Sequence, residues 1–105
     1  MQRFVDASIE GWYGYLDGDP GAADALIKRD NPDMTDDLLA YSRAAMKHHG
    51  IVVSGDALTL GIGAMTAARW KDFFDSMVKA GVYKPSLDYR RAYTLAFVNK
   101  KIGMK

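Results

Sequence analysis

The chain has 105 residues, 49% apolar and 26% charged, with a formal net charge of +1 and no cysteine. That length suits one domain with a modest core. The absent cysteines exclude disulfides and thiolate metal sites, and no apolar run approaches the ~20 residues that span a bilayer. The first residues lack the charged, apolar, small-residue order of a signal peptide, so the expectation is a soluble globular chain without membrane insertion.

Charge is unevenly spread. Residues 1–40 carry nine acidic and three basic side chains, and residues 41–105 carry four acidic and eleven basic, so the halves stand at −6 and +7. A basic half can mark nucleic-acid binding. Here Arg90-Arg91 and Lys100-Lys101 are too few and too scattered to track phosphates, and no nucleic-acid partner is expected. The asymmetry suits halves that pack on each other, or antiparallel or head-to-tail self-association.

About five short helices are predicted. The first covers residues 2–16, with Val5, Ile9, Trp12 and Leu16 on one stripe widened by Phe4, Tyr13 and Tyr15. Asp17-Gly18 closes it, and Asp19-Pro20 opens the second with a cap and a proline at the first helical position. Ala23, Leu26 and Ile27 point inward there, and Asn31-Pro32 stops it. Thr35 caps the third helix, Asp36 and Asp37 sit against its positive end, and Leu38, Leu39, Ser42, Ala45 and Met46 form its inner face. Lys47, His48 and His49 fill its last turn before Gly50.

Ile51-Val52-Val53 is the one strand-like run, followed by a turn at Ser54-Gly55-Asp56. Gly61 and Gly63 lead into Thr66, the N-cap of a helix bearing Trp70, Phe73, Phe74, Met77 and Val78. Gly81 ends that helix and Pro85 follows. Asp88 then caps a last helix through Tyr89, Ala92, Tyr93, Ala96 and Phe97. No sustained alternation or repeat appears, so the fold class of the isolated chain is all-α, with at most one marginal extended segment.

No catalytic or metal-binding constellation stands out. His48 and His49 are adjacent and would point about 100° apart on a helix, which prevents both from facing one metal. Gly61-Ile62-Gly63 lacks the third glycine of a dinucleotide loop and the lysine of a phosphate loop. Asp36-Asp37 and Asp72/Asp75 read as solvated carboxylates rather than an acid–base pair, and no serine occupies a nucleophile setting. Trp12, Tyr13, Tyr15, Trp70 and Tyr93 have the shape to stack a flat heterocycle, although their spacing fits core or interface.

One pattern goes further. Gly61-Ile-Gly-Ala-Met65, capping Thr66, the Trp70 helix, Ala80-Gly81, Lys84-Pro85 and Ala92-Tyr93-Thr94 follow in the order found late in certain ABC-importer substrate-binding proteins. The branch it resembles is the thiamine-pyrimidine-precursor (nitrate/sulfonate/taurine-like) family. The opening Arg3–Trp12, Tyr15-Leu16, Asp19-Pro20, Ala23, Asn31-Pro32-Asp33 and the helix from Thr35 extend the resemblance over nearly the whole chain. Thr66-Ala67 departs from it, since relatives often carry an acidic residue and proline there.

The resemblance implies the C-terminal helical part of a two-lobed α/β periplasmic-binding-protein fold, with Met1 an internal methionine or an added start. It implies a role in uptake of a thiamine-pyrimidine-like or related small molecule, extracytoplasmic in the parent and partnered by an ABC permease. The ligand-contacting residues would lie mostly upstream. Pyrimidine-synthesising relatives offer an enzymatic alternative, but their iron-binding cysteine cluster and substrate histidine are not carried here, so no catalytic residue, metal ligand or cofactor is assigned and no enzymatic activity is expected. A free-standing helical oligomerisation or interaction domain is the third expectation. A fragment of the two-lobed fold would expose the apolar faces that packed on its sheets, so a homodimer or larger oligomer through the Trp12 or Trp70 face is expected.

Overall fold

The computed structural model describes residues 1–105. Five helices follow in order: α1 (Gln2–Asp17), α2 (Gly21–Asp30), α3 (Asp36–His48), α4 (Ala57–Leu60) and α5 (Ala67–Lys79). A single 3-10 turn, Tyr89–Ala92, comes after them, and there is no strand. The isolated chain is all-α.

The helix boundaries follow from local chemistry. Thr35 and Thr66 are N-caps, each with an extended backbone and a hydroxyl accepting an N–H at 3.2 Å, from Leu38 and Arg69 respectively. α5 ends in a Schellman motif. Gly81, at φ 78°, donates to Val78 at 3.0 Å, and Val82 donates to Met77 at 2.9 Å. α3 ends the same way through Gly50 and Ile51. α1 has no basic residue in its own last turn, so Lys47 of α3 supplies one. Its ammonium donates to the Leu16 carbonyl at 3.2 Å and pairs with Asp17 at 3.3 Å.

Three expectations are corrected, and one element is added. α2 begins at Gly21, one residue after the expected start, with Pro20 as the flanking residue whose carbonyl accepts the Asp24 N–H at 2.9 Å; the Asp19 carboxylate does cap the first turn, accepting the Gly21 N–H at 2.9 Å. Ile51–Val53 forms bends, since no other extended segment offers an edge to pair with. α4 was not foreseen: it is a four-residue turn of helix with the buried Ala57 at its start. The expected last helix is one 3-10 turn. Asp88 does cap it through the Arg90 N–H at 3.3 Å, but Tyr93 swings to extended backbone (φ −146°, ψ 165°). Thr94 then draws the Ala96 N–H onto its own hydroxyl, and such side-chain turns compete with a helix.

The core is small. Only Ile9, Leu39, Ala57, Gly61 and Ile62 are buried. The inward faces expected on α2 and α3 are only partly so, because Leu26 is 53% and Leu38 43% exposed and α2 buries no residue. A polar junction attaches α2 instead. Its Asp24 carboxylate accepts the Tyr15 hydroxyl of α1 at 2.8 Å and the Arg43 guanidinium of α3, which also lies over the Tyr15 ring. Hydrogen bonding with Tyr15 and then with Asp24 raises the Arg43 pKa above its ordinary value despite partial burial.

Overall dimensions are 48 × 29 × 24 Å with a radius of gyration of 17.0 Å. A compact chain of this length would have about 13 Å. The accessible surface is 7776 Å², against about 5,800 Å² for a compact monomer of the same mass.

The Asp24 junction should therefore control helix docking. Tyr15→Phe is expected to cost about 1 kcal/mol in urea unfolding, and Asp24→Ala more, because the latter leaves Arg43 without its carboxylate. An Asp24→Ala chain as stable as the parent would remove the junction from this role.

Candidate functional site

The glycine segment Gly61–Met65 is held by side chains from two distant parts of the chain, and residues of its second half line the largest hollow. From α1, the Tyr13 hydroxyl accepts the Ile62 N–H at 3.1 Å. From the C-terminal tail, Asn99 makes a two-way amide pair with Met65, accepting its N–H at 3.1 Å and donating to its carbonyl at 2.6 Å. The Lys101 N–H donates to Leu60 at 3.1 Å.

The crossing needs a bare backbone. Gly61 sits at φ 97°, and a Cβ there would stand 3.2 Å from the Lys101 Cα. Asn99 and Lys101 both take the left-handed conformation, at φ 64° and 56°, which turns the tail across the glycines.

Trp70, one turn into α5, separates two hollows. The larger is a cleft of about 780 Å³ between the Ile51–Ala57 loop and the start of α5. Ile51, Val52, Trp70 and Phe73 form its apolar walls, and Asp56, Thr66 and Arg69 line it as well. On the other side a hollow of about 540 Å³ is lined by Val5, Trp70 and, from the tail, Tyr93, Phe97 and Val98. The Trp70 and Tyr93 rings stack at 4.7 Å and 4° from parallel. Behind them Phe74 stacks on Tyr89 at 4.9 Å, continuing an aromatic ladder that fixes the tail on α5.

Chemically the cleft offers flat apolar contact with a carboxylate and a guanidinium at its edge. It contains no histidine or cysteine. Its one hydroxyl–carboxylate pair is long and exposed: Thr66 donates to Asp56 at 3.5 Å while accepting the Arg69 N–H as the helix cap.

The aromatic residues noted in the sequence divide. Trp70 and Tyr93 come together, whereas Trp12 and Tyr15 meet edge-on at 6.3 Å on α1 and Tyr13 serves the glycine joint. Trp12 does not join the inward stripe with Ile9; it is 41% exposed. His48 and His49 do meet, ring edge to ring face at 4.8 Å, because His49 lies past the last helical residue. No group of three or more His, Cys, Asp or Glu side chains converges anywhere.

Asp36 pairs with Lys28 at 2.6 Å and Asp75 with Lys71 at 2.5 Å, both at the surface. Hydrogen bonding to Asp75 raises the Lys71 pKa. Asn99, Lys101 and Asp24 carry joints that sequence reasoning missed. Asn99 had one usable signal, since asparagine tolerates the left-handed backbone better than most residues.

No family model, no curated protein and no solved structure matches this chain.

Asn99→Ala should cost about 2 kcal/mol in thermal or urea unfolding, by removing both bonds to Met65 and straining φ. Asn99→Asp retains the acceptor for the Met65 N–H and should fall between. Equal stability of all three chains would show that the tail does not depend on this pair.

Proposed function

We propose that the chain is the helical part of an extracytoplasmic solute-binding protein of an ABC importer, serving uptake of a thiamine-pyrimidine-like or related small molecule. On this reading it binds and does not catalyse. One observation carries the proposal: the residues of the resemblance coincide with structural joints. Gly61 is the bare crossing, Thr66 the cap, Gly81 the Schellman glycine, and Tyr93 the stack on the helix tryptophan. A run of motifs retained by chance need not fall on the positions where the backbone demands them.

The open shape also supports it. A segment cut from a two-lobed fold leaves uncovered the faces that its sheets would cover, and the surplus surface here has that character. Binding would then work by closure of two lobes, with preceding chain supplying most of the pocket and an ABC permease as partner. The same surplus favours a second reading, a free-standing helical module whose role is association.

The gene decides between them. The receptor reading expects the reading frame to continue upstream through α/β lobes to a secretion signal, with permease and ATPase genes alongside. The encoded full-length product should then show a raised melting temperature with aminopyrimidines. A stop codon immediately upstream, with no importer genes nearby, would overturn the receptor reading and leave the association module.

A further inference from the structure

α1 has two apolar faces: the fold buries one and covers the second only at its Tyr15 end, where α2 and α3 dock. Ile9 is buried on the inner face, with Val5 and Leu16 half-buried beside it. About a third of a turn away runs a second stripe, Phe4, Ser8, Gly11, Trp12 and Tyr15, with no charged residue in it. Phe4 is 73% exposed. Beside the stripe, Ser8, Gly11, Trp12 and Tyr15 of α1 and Ala23 and Ile27 of α2 enclose a groove of about 390 Å³. Gly11 forms its open floor, with no atom within 4 Å of where a Cβ would stand.

We infer that this stripe is the contact surface of a homodimer in which α1 pairs antiparallel with α1 of a second copy, centred on Ser8. The helix carries both halves of the fit. Phe4 is the knob and the groove at Gly11 is its hole, seven residues apart, which is two turns or about 10.5 Å along the axis. A twofold axis at Ser8 puts the second copy's Phe4 opposite Trp12, one residue past Gly11, so its ring enters the groove that both residues line, and the contact repeats in reverse as an isologous interface requires. Small residues at the crossing let the backbones approach, and antiparallel macrodipoles attract. Parallel pairing would instead stack Phe4 on Phe4 and leave the groove empty.

Area and charge agree with this occupant. The chain exposes roughly 2,000 Å² more than a compact monomer, whereas a stable interface needs about 800 Å² from each partner. The charge asymmetry does not demand a head-to-tail partner, because Arg43–Asp24 and Lys47–Asp17 already join the basic and acidic halves within one chain. The Trp70 face is the weaker candidate, since Tyr93 of the same chain stacks on it. Self-association stands apart from ligand binding by a longer receptor: mass in solution decides the first and the upstream reading frame the second.

Light scattering behind size exclusion at micromolar concentration should give twice the 11.6 kDa chain mass. Phe4→Ala should weaken the dimer about tenfold or more. Gly11→Gln fills a hole that is open in the monomer, so it should abolish the dimer while helicity by circular dichroism is kept or raised.

Orientation is read by cysteine pairing in a chain that has none of its own. At a helix spacing of about 8–10 Å, facing Cα atoms lie roughly 3.5–5.5 Å apart, overlapping the disulfide range of about 4.4–6.8 Å. Ser8→Cys should therefore give a linked dimer on mild oxidation, and Phe4→Cys alone should not. A monomeric parent chain, a dimer indifferent to Gly11→Gln, or ready self-linking of Phe4→Cys would each overturn the proposal.

Discussion

The segment Gly61–Met65 is where the molecule closes on itself. Without it, α1 would lose its Tyr13 link to the unit that α5 and the tail form through their stacked aromatic rings. Tyr13 approaches from the first helix, Asn99 and Lys101 from the tail, and Ile9 lies 3.8 Å from where a Cβ on Gly63 would stand. Three of the five buried residues, Ala57, Gly61 and Ile62, lie on or just before this segment. Backbone groups that would otherwise be stranded are satisfied by side chains from both ends of the sequence, which is how a chain with so small a core retains one arrangement.

That economy explains the division between what is local and what is not. Caps, Schellman glycines and the amphipathic period of α5 were legible because each is decided within a few residues: Thr35, Thr66, Gly50 and Gly81 all act where they were expected. The last helix was misread because its apolar spacing is real but serves another purpose. Tyr89 and Tyr93 face aromatic rings of α5, and the chain unwinds to allow it. The inward side of α2 was misread for the opposite reason, since helical spacing indicates an apolar face but not whether anything covers it.

The candidate site was legible in part. Trp70 and the glycine lead-in could be seen as a unit, but the cleft also depends on the Ile51–Val53 bends, which read as a strand. Asn99 and Asp24 act only through partners 34 and 9 to 19 residues away, and no periodic pattern points to such contacts. Polar joints of this type are specified by geometry in three dimensions, so a linear reading finds the surfaces to be joined before the residues that join them.

The attachment of α2 has a dynamic consequence. A helix that buries no side chain and is held by the Asp24 junction and one exposed ion pair, Lys28–Asp36, can leave its neighbours without opening the Ile9–Ile62 core. Its amide protons should exchange with solvent through such partial openings, far sooner than those at the centre of α1. The molecule therefore behaves as two cooperative units, a slow one built around the glycine crossing and a fast one that swings on Asp24.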